Sequence, residues 1–256
     1  MLIDSHVHLD AAEFAADRDE VIDNARAAGV KGFVVPAVDR LSLDAVLALA
    51  AGRRDVCPAL GIHPMYVMGA REDDLAVLES HLARGAARAV GEIGLDHFVT
   101  DIDPVRQLDF FVAQLKLARR YDLPVILHVR RAVDPILKQL RRIGVRGGIA
   151  HAFNGSRQQA QVFIDLGFRL GFGGAMTFEG SSRIRELART LPLSAIVLET
   201  DAPDIPPAWA QGERNVPANL ARYAALLARL RGISIDEVAE TTGRNVCELL
   251  GGWRPD

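Results

Sequence analysis

The sequence predicts a single TIM-type (β/α)8 barrel that spans residues 1–256. Three observations predict this α/β fold: eight short apolar runs, a helical pattern that follows each run, and a length of 256 residues, which is typical of one such barrel. The runs are apolar throughout rather than alternating, as expected of parallel strands that helices cover. They are Leu2–His8, Gly32–Val38, Val56–His63, Ala87–Gly94, Pro124–Val129, Gly147–Phe153, Phe168–Gly173 and Ala195–Thr200.

Helical patterns fill the chain between the runs. One extends from Pro104 to Tyr121 after the cap residue Asp103, and its apolar residues recur at helical spacing. These residues are Val105, Leu108, Val112, Leu115 and Ala118. Capping boxes that begin at Ser156 and Ser234 predict the starts of two more helices, the second of which is a C-terminal extension.

An open, doubly wound sheet is the competing fold. It requires a glycine-rich phosphate-binding loop after the first strand. The segment His6-Val7-His8 stands at that place instead. The sequence therefore favours the closed barrel, and it offers no linker that would separate a second domain.

Composition limits the classes of function. Hydrophobic residues make up 49% and charged residues 25% of the chain, so it can bury a full core. The net charge of −3 argues against a protein that coats DNA, but a locally positive site could still take a nucleic-acid substrate. Cys57 and Cys247 give neither a disulfide framework nor a zinc-binding spacing. With no signal peptide and no apolar run of ~18 residues, we expect a cytoplasmic protein without a membrane partner.

Polar residues gather where the predicted strands end. Five of the seven histidines lie there, and Glu92 and Asp201 join them. In a barrel the carboxyl ends of the strands share one face, which is where active sites are found. The histidines are His6, His8, His63, His128 and His151.

Each of these residues also has an ordinary structural interpretation. His6 and His8, two apart on a strand, would point the same way, but a hydrogen-bonded pair of core histidines would do so too. Glu92 could pair with a barrel arginine, and the others could be capped core residues. One metal site explains six such residues together: His6, His8, Glu92, His128, His151 and Asp201.

The residue types suggest two ions. Imidazoles and carboxylates without thiolates suit zinc, manganese or another first-row divalent ion. Six ligands are too many for one catalytic ion, which needs an open position, whereas two ions that share Glu92 accommodate them. A pair of ions could activate water, and Asp201 could accept the proton of that water.

Seven motifs occur together, and in one order. They are Asp4–Asp10, Gly61–Pro64, Gly91–Asp96, Leu127–His128, His151–Gly155, Leu198–Pro203 and Arg214–Pro217. In these motifs the chain resembles the TatD family of metal-dependent deoxyribonucleases, within the amidohydrolase-like barrels. The segments Gly171–Gly174 and Asp204–Pro206 resemble its YjjV-type branch.

The resemblance implies a function and two ligand sets that share Glu92. It implies hydrolysis of DNA phosphodiesters, including exonuclease action from 3′ ends, with zinc, manganese, magnesium or nickel as cofactor. The implied sets are His6, His8, Glu92 and Asp201 for one ion, and Glu92, His128 and His151 for the other. Glu92 and Asp201 would be catalytic, DNA would be the partner, and we expect a monomer. The chain departs from the family at His97-Phe98, where two aromatic residues are frequent.

Substrate contacts are harder to assign. We consider His63, Arg130, Asn154 and Arg214 as contacts to a phosphate or leaving group, the alternative being ordinary surface side chains. Among enzymes, an amidohydrolase that opens a cyclic amide, ester or lactone is the main competitor. Many such enzymes bridge their metals with a carboxylated lysine on strand four, where this chain has Glu92. A binding protein that has lost catalysis is the other alternative, although no ligand is missing.

Overall fold

The computed structural model describes residues 1–255. Its eight parallel strands form one sheet in the order of the chain, and helices follow them in alternation, which confirms the predicted barrel. The strands are β1 Leu2–Asp4, β2 Val30–Pro36, β3 Val56–Leu60, β4 Ala89–Asp96, β5 Val125–Arg130, β6 Gly148–Ala150, β7 Phe168–Phe172 and β8 Ile196–Leu198.

Hydrogen bonds beyond the strands bring the first and last strands together. The N–H of Ser5 donates to the carbonyl of Leu198 at 3.0 Å, directly after β1. The buried carboxylate of Asp4 accepts from the N–H of Thr200 at 2.9 Å and from its hydroxyl at 2.6 Å. Burial raises the pKa of Asp4 to about 8. Asp4 therefore ties the end of β1 to the segment after β8 and completes the ring.

The helices surround the sheet. They are α1 Arg18–Ala27, α2 Arg40–Ala50, α3 Glu72–Ala83, α4 Pro104–Arg120, α5 Val133–Ile143, α6 Arg157–Asp165, α7 Ser182–Thr190, α8 Leu220–Arg231 and α9 Ile235–Leu249. Short 3₁₀ turns lie at Ala12–Phe14, Gly174–Thr177, Leu193–Ala195, Ala208–Ala210 and Pro217–Asn219. Within residues 1–255, none of the helices has the length and apolar character needed to cross a membrane.

The starts of α6 and α9 carry the predicted capping residues. The capping box before α6 is complete: Gln159 N–H donates to the Ser156 hydroxyl, and Ser156 N–H donates to the Gln159 side chain. Before α9 the Ser234 hydroxyl accepts from Glu237 N–H, which is half of the predicted box. Helix α9 then packs against both β1 and β8.

Helix α4 corrects one prediction. Val105, expected on the buried stripe, is 64% exposed. The buried face instead contains two amides, Gln107 and Gln114. Gln107 accepts from the N–H of Asp96, and Gln114 both accepts from and donates to the backbone of Ile62. The helix is thus held to the ends of β3 and β4 by hydrogen bonds as well as by apolar contacts.

The close packing of β6 against β5 is testable at Gly148. A Cβ atom there would overlap the carbonyl oxygen of Val125, which belongs to the backbone and cannot rotate away. We expect Gly148→Ala to lower the free energy of unfolding by about 1–3 kcal/mol, as overpacking does. Gly180→Ala is the matched control, because nothing lies within 4 Å of a Cβ at that position. Equal stabilities of the two variants in denaturant unfolding would contradict the packing described.

Candidate metal centre

The first two predicted ligands lie just beyond β1. The strand ends at Asp4, so the prediction that His6 and His8 alternate along it is wrong; both lie in the following loop. The loop nevertheless brings the rings together, with their Nε2 atoms 3.3 Å apart. The N–H of His6 donates to Asp4 at 3.3 Å. The carboxylate that closes the barrel therefore also holds the backbone of the first histidine.

Glu92 lies on β4 at the middle of the cluster and is 2% exposed. One oxygen, Oε2, lies 3.1 Å from Nε2 of His6 and 3.6 Å from Nε2 of His8. The other, Oε1, lies 3.1 Å from Nδ1 of His128 and 3.4 Å from Nε2 of His63. The two oxygens thus face two separate groups of imidazoles.

Asp201 and His151 complete the cluster from the segments that follow β8 and β6. Oδ1 of Asp201 lies 3.5 Å from Nε2 of both His6 and His8, and Oδ2 lies 3.6 Å from Nε2 of His151. The ring of His151 stacks on that of His6 with centroids 3.9 Å apart. Asp201 is only 8% exposed, and its φ of 59° turns the chain sharply after β8.

Glu199, two residues before Asp201, contacts the Nδ1 side of His151. Its Oε1 lies 3.0 Å from Nδ1 of His151 and accepts from the N–H of Ala152 at 2.6 Å. A Cβ at Gly171 on β7 would collide with the Glu199 carboxylate. The absence of a side chain at Gly171 therefore leaves the space that the Glu199 carboxylate occupies.

Asp96, at the end of β4, was not predicted to act at the site. Its Oδ2 lies 2.9 Å from Nε2 of His128, on the side of the ring away from Glu92. Its Oδ1 accepts from the N–H groups of Phe98 and Val99 at 2.8 and 3.1 Å. Hydrogen bonds to His128 and to these N–H groups outweigh burial and hold the pKa of Asp96 below its usual range. Its place in the Gly-Leu-Asp motif was the available signal.

His63 is only 6% exposed and therefore does not lie on the surface. It follows Ile62, whose backbone Gln114 holds from α4, and its ring stands edge-on to His128 with centroids 4.4 Å apart. Its Nδ1 accepts from the N–H of Met65 at 3.2 Å, so Nε2 is the atom that faces Glu92. His63 therefore stands among the ligand candidates, and its assignment as a substrate contact stays a prediction.

The other substrate-contact candidates lie on the rim of the barrel. Arg214 pairs with Asp17, with one N–O distance of 3.0 Å, so it binds the loop after β1. The side chain of Asn154 accepts from Arg183 at 2.8 Å. Arg130 instead lies over the ring of Phe98, 3.9 Å from its centroid. None of these contacts measures substrate binding, so the three assignments stay predictions.

Charge balance in the centre depends on its histidines. Burial alone would raise the pKa of Glu92, but the charge of His6 and the other imidazoles lowers it well below the usual range. Burial likewise opposes the charging of His8, yet its contact with Asp201 raises the pKa to about 9. The charge of Asp201 similarly raises the pKa of His151 to about 10 against the effect of burial. Imidazoles and carboxylates of the centre thus stabilise each other's charged forms.

The donor set fits divalent metal ions. Three overlapping groups have ligand atoms within 4.8 Å of one another. They are His6, Glu92 and His151; His6, His8 and Asp201; and His63, Glu92 and His128. Nitrogen and carboxylate oxygen donors without sulfur suit zinc, manganese and similar ions. The grouping places His151 with His6 and brings His63 beside His128, which differs from the ligand sets that the family resemblance implies.

A (β/α)8 barrel with buried imidazoles and carboxylates at its strand ends defines a metal-dependent hydrolase. The particular family follows from comparison with known proteins. The sequence profile described as TatD related DNase matches residues 3–251, and the chain belongs to that family.

Similar proteins agree with this membership. The chain is 42% identical over 251 residues to the uncharacterised metal-dependent hydrolase YjjV of Escherichia coli K12, with 97% of each protein covered. The crystal structure of YjjV superposes with a TM-score of 0.93 at 41% identity, covering 97% of each chain. The chain is 31% identical to the 3′–5′ ssDNA/RNA exonuclease TatD of Erwinia amylovora, covering 98% of this chain and 100% of that protein.

The role of Glu199 can be tested through metal affinity. We expect Glu199→Gln to weaken metal binding by roughly 10-fold or more, because partners that orient a ligating histidine typically contribute 10–100-fold. Competition with a chelating indicator measures the affinity. Glu186→Gln is the control, since Glu186 pairs with Arg189 on the exposed face of α7. An unchanged affinity in Glu199→Gln would show that His151 needs no such partner.

Proposed function

We propose that the protein is a phosphodiesterase that hydrolyses nucleic acid, with exonuclease action from 3′ ends, at a centre of two divalent ions. The observation that carries the proposal is the placement of Glu92, whose two oxygens face two groups of imidazoles. A carboxylate so placed is suited to bridging two ions, and two-metal centres are common in phosphodiester hydrolysis. The nuclease named among its relatives supports nucleic acid as the substrate.

Divalent ions in this centre would supply Lewis-acid chemistry: they make water a nucleophile near neutral pH and offset charge on the phosphoryl oxygens. We assign the ligands as His6, His8, Glu92, His128, His151 and Asp201. His63 stands close enough to Glu92 and His128 to join them or to hydrogen-bond the substrate.

Asp201 is proposed as the general base. Its Oδ1 faces His6 and His8, and Oδ2 faces Nε2 of His151 at 3.6 Å. With Oδ1 turned toward the two histidines that would hold an ion, Oδ2 is the oxygen proposed to accept the proton. Glu92 and Asp201 then have different tasks: Glu92 holds the two halves of the centre together, and Asp201 moves the proton.

The number of ions can be measured directly. We expect the chelator-treated protein to be inactive and activity to return as about two equivalents of zinc or manganese are added. In Glu92→Gln, the amide can offer only one oxygen and a neutral donor group, so we expect binding to saturate at one ion or fewer. Metal titration with calorimetry and elemental analysis gives the count. Saturation of the wild-type protein at one ion would contradict the bridging role.

Asp201→Asn tests the general base. We expect turnover to fall by roughly 10²–10⁴-fold, since Asn retains an oxygen donor but cannot accept a proton at neutral pH. Excess manganese compensates for weaker metal binding, and thermal melting shows whether the fold is kept. Glu199→Gln under the same conditions is expected to lose less, because Glu199 orients His151. Near-native turnover of Asp201→Asn would rule out its proposed role.

The substrate class follows from assays in parallel. The metal-loaded protein is tested on 3′-ended single-stranded DNA, RNA, damaged DNA, and on a cyclic amide and a lactone. Chelator-sensitive release of mononucleotides from a strand supports the proposal. Hydrolysis of the cyclic amide or lactone alone would instead identify an amidohydrolase, and binding without turnover of any substrate would identify a binding protein.

A further inference from the structure

We infer that Phe98, Arg130 and Arg131 form a platform on the rim of the barrel that binds an unpaired nucleobase and the phosphate beside it. This inference deepens the proposed function and rests on it. We call these three residues the rim platform. It would select a single strand over a duplex, because only an unpaired base can leave its neighbours and stack on protein.

The geometry of the rim platform suits stacking. The ring of Phe98 is 45% exposed, although it is a large apolar side chain. The guanidinium carbon of Arg130 lies 3.9 Å from the ring centroid and that of Arg131 lies 4.6 Å from it. Aromatic rings and guanidinium planes are the two protein surfaces on which single-stranded bases stack.

The charges of the platform are available to a ligand. Among the residues that the structure describes, no carboxylate forms an ion pair with Arg131. Arg130 has Asp96 at 3.9 Å, a distance too long for a hydrogen bond. Both side chains are exposed. Two cations beside an exposed aromatic ring can hold a phosphate and a base together.

The platform is joined to the metal centre by one residue. Oδ1 of Asp96 accepts from the N–H of Phe98, and Oδ2 lies 2.9 Å from Nε2 of His128. His128 in turn contacts Glu92. A strand that stacks on Phe98 is therefore held a short, fixed distance from the centre, as end-directed hydrolysis requires.

Four carboxylates around the mouth lie away from the platform. Burial, followed by the charges of Asp39, Asp204, Glu13 and Asp10, raises the pKa of Tyr66. These four residues lie on the loops after β8, β1 and β2, whereas the platform lies after β4 and β5. Strands neighbour each other in chain order, so β3 on one side and β6 and β7 on the other separate the two groups. A phosphate chain on the platform would therefore not lie beside these four carboxylates.

Binding measurements with paired ligands test the platform. The metal-loaded protein is titrated with a short single strand carrying hydrolysis-resistant phosphorothioate links, and with the same strand lacking its bases. For Phe98→Ala we expect the Kd of the base-bearing strand to rise ~5- to 150-fold, the range for base–aromatic stacking. The Kd of the abasic strand should change by less than about 2-fold, because it has nothing to stack.

Three further variants separate the roles within the platform. Phe98→Tyr should bind as the wild type does, since the ring is kept. Arg131→Gln should lower the salt dependence of binding by about 0.7 in log–log slope, the value for one phosphate contact on a single strand. Trp209→Ala is the control, because Trp209 is 39% exposed and lies under Arg222, yet it follows β8, away from the platform. We expect it to leave both Kd values unchanged.

The outcomes distinguish this inference from the proposed function. Equal losses on base-bearing and abasic strands, no loss in Phe98→Ala, or no binding of either strand by the wild type would overturn the platform. Hydrolysis of single-stranded DNA that is insensitive to Phe98→Ala would overturn the platform alone. Base-dependent binding through Phe98 without hydrolysis of any nucleic acid would overturn the proposed function and leave the platform in place.

Discussion

The burial of one carboxylate is the constraint on which the rest of the structure depends. Glu92 is 2% exposed at the centre of the barrel, where an ion without partners would cost several kcal/mol. Both of its oxygens therefore need donors or cations, and they need them on different sides. The loop after β1 supplies His6 for one oxygen, and β5 supplies His128 for the other. Strands far apart in sequence can meet in this way because a barrel directs all of its carboxyl ends to one face.

Three carboxylates outside the centre hold the residues around Glu92 in place. All three make the same kinds of contact. Asp4, Asp96 and Glu199 each accept from a backbone N–H after a strand while contacting a site residue or its backbone. The carboxylate of each residue therefore fixes both a loop and a ligand candidate. Such contacts set which nitrogen of a histidine faces the centre, and partners of this kind govern metal affinity as strongly as many direct ligands do. The centre is thus rigid because its ligands and its loops are held by the same carboxylates.

The sequence was sufficient for the barrel and for the six ligand candidates that the structure brings together, but not for the places of Asp96 and His63 or for the arrangement within the cluster. Apolar runs that end in polar residues predict a shared face, whatever the length of each strand. They do not show that β1 stops at Asp4, because the loop that follows is almost as buried as the strand. Helical spacing also assigned Val105 to the core of α4, where Gln107 and Gln114 are buried instead. A glutamine side chain can be buried when a loop backbone offers it a donor and an acceptor. For Gln114 that backbone belongs to Ile62, about 50 residues earlier in the chain.

Arginines on the rim illustrate why substrate contacts are the least predictable part of such a site. Arg214 and Arg130 have the same chemistry and both follow barrel strands, yet one is bound to Asp17 and the other lies over Phe98. Which of them is available to a ligand depends on neighbours that no local pattern specifies. The buried centre and the exposed rim also differ in how a substitution affects their charge balance. A change in the buried centre leaves a charge without a partner, whereas a change on the exposed rim leaves the centre balanced. Substrate preference can therefore diverge at positions such as His97-Phe98 while the ligand candidates beneath them stay the same.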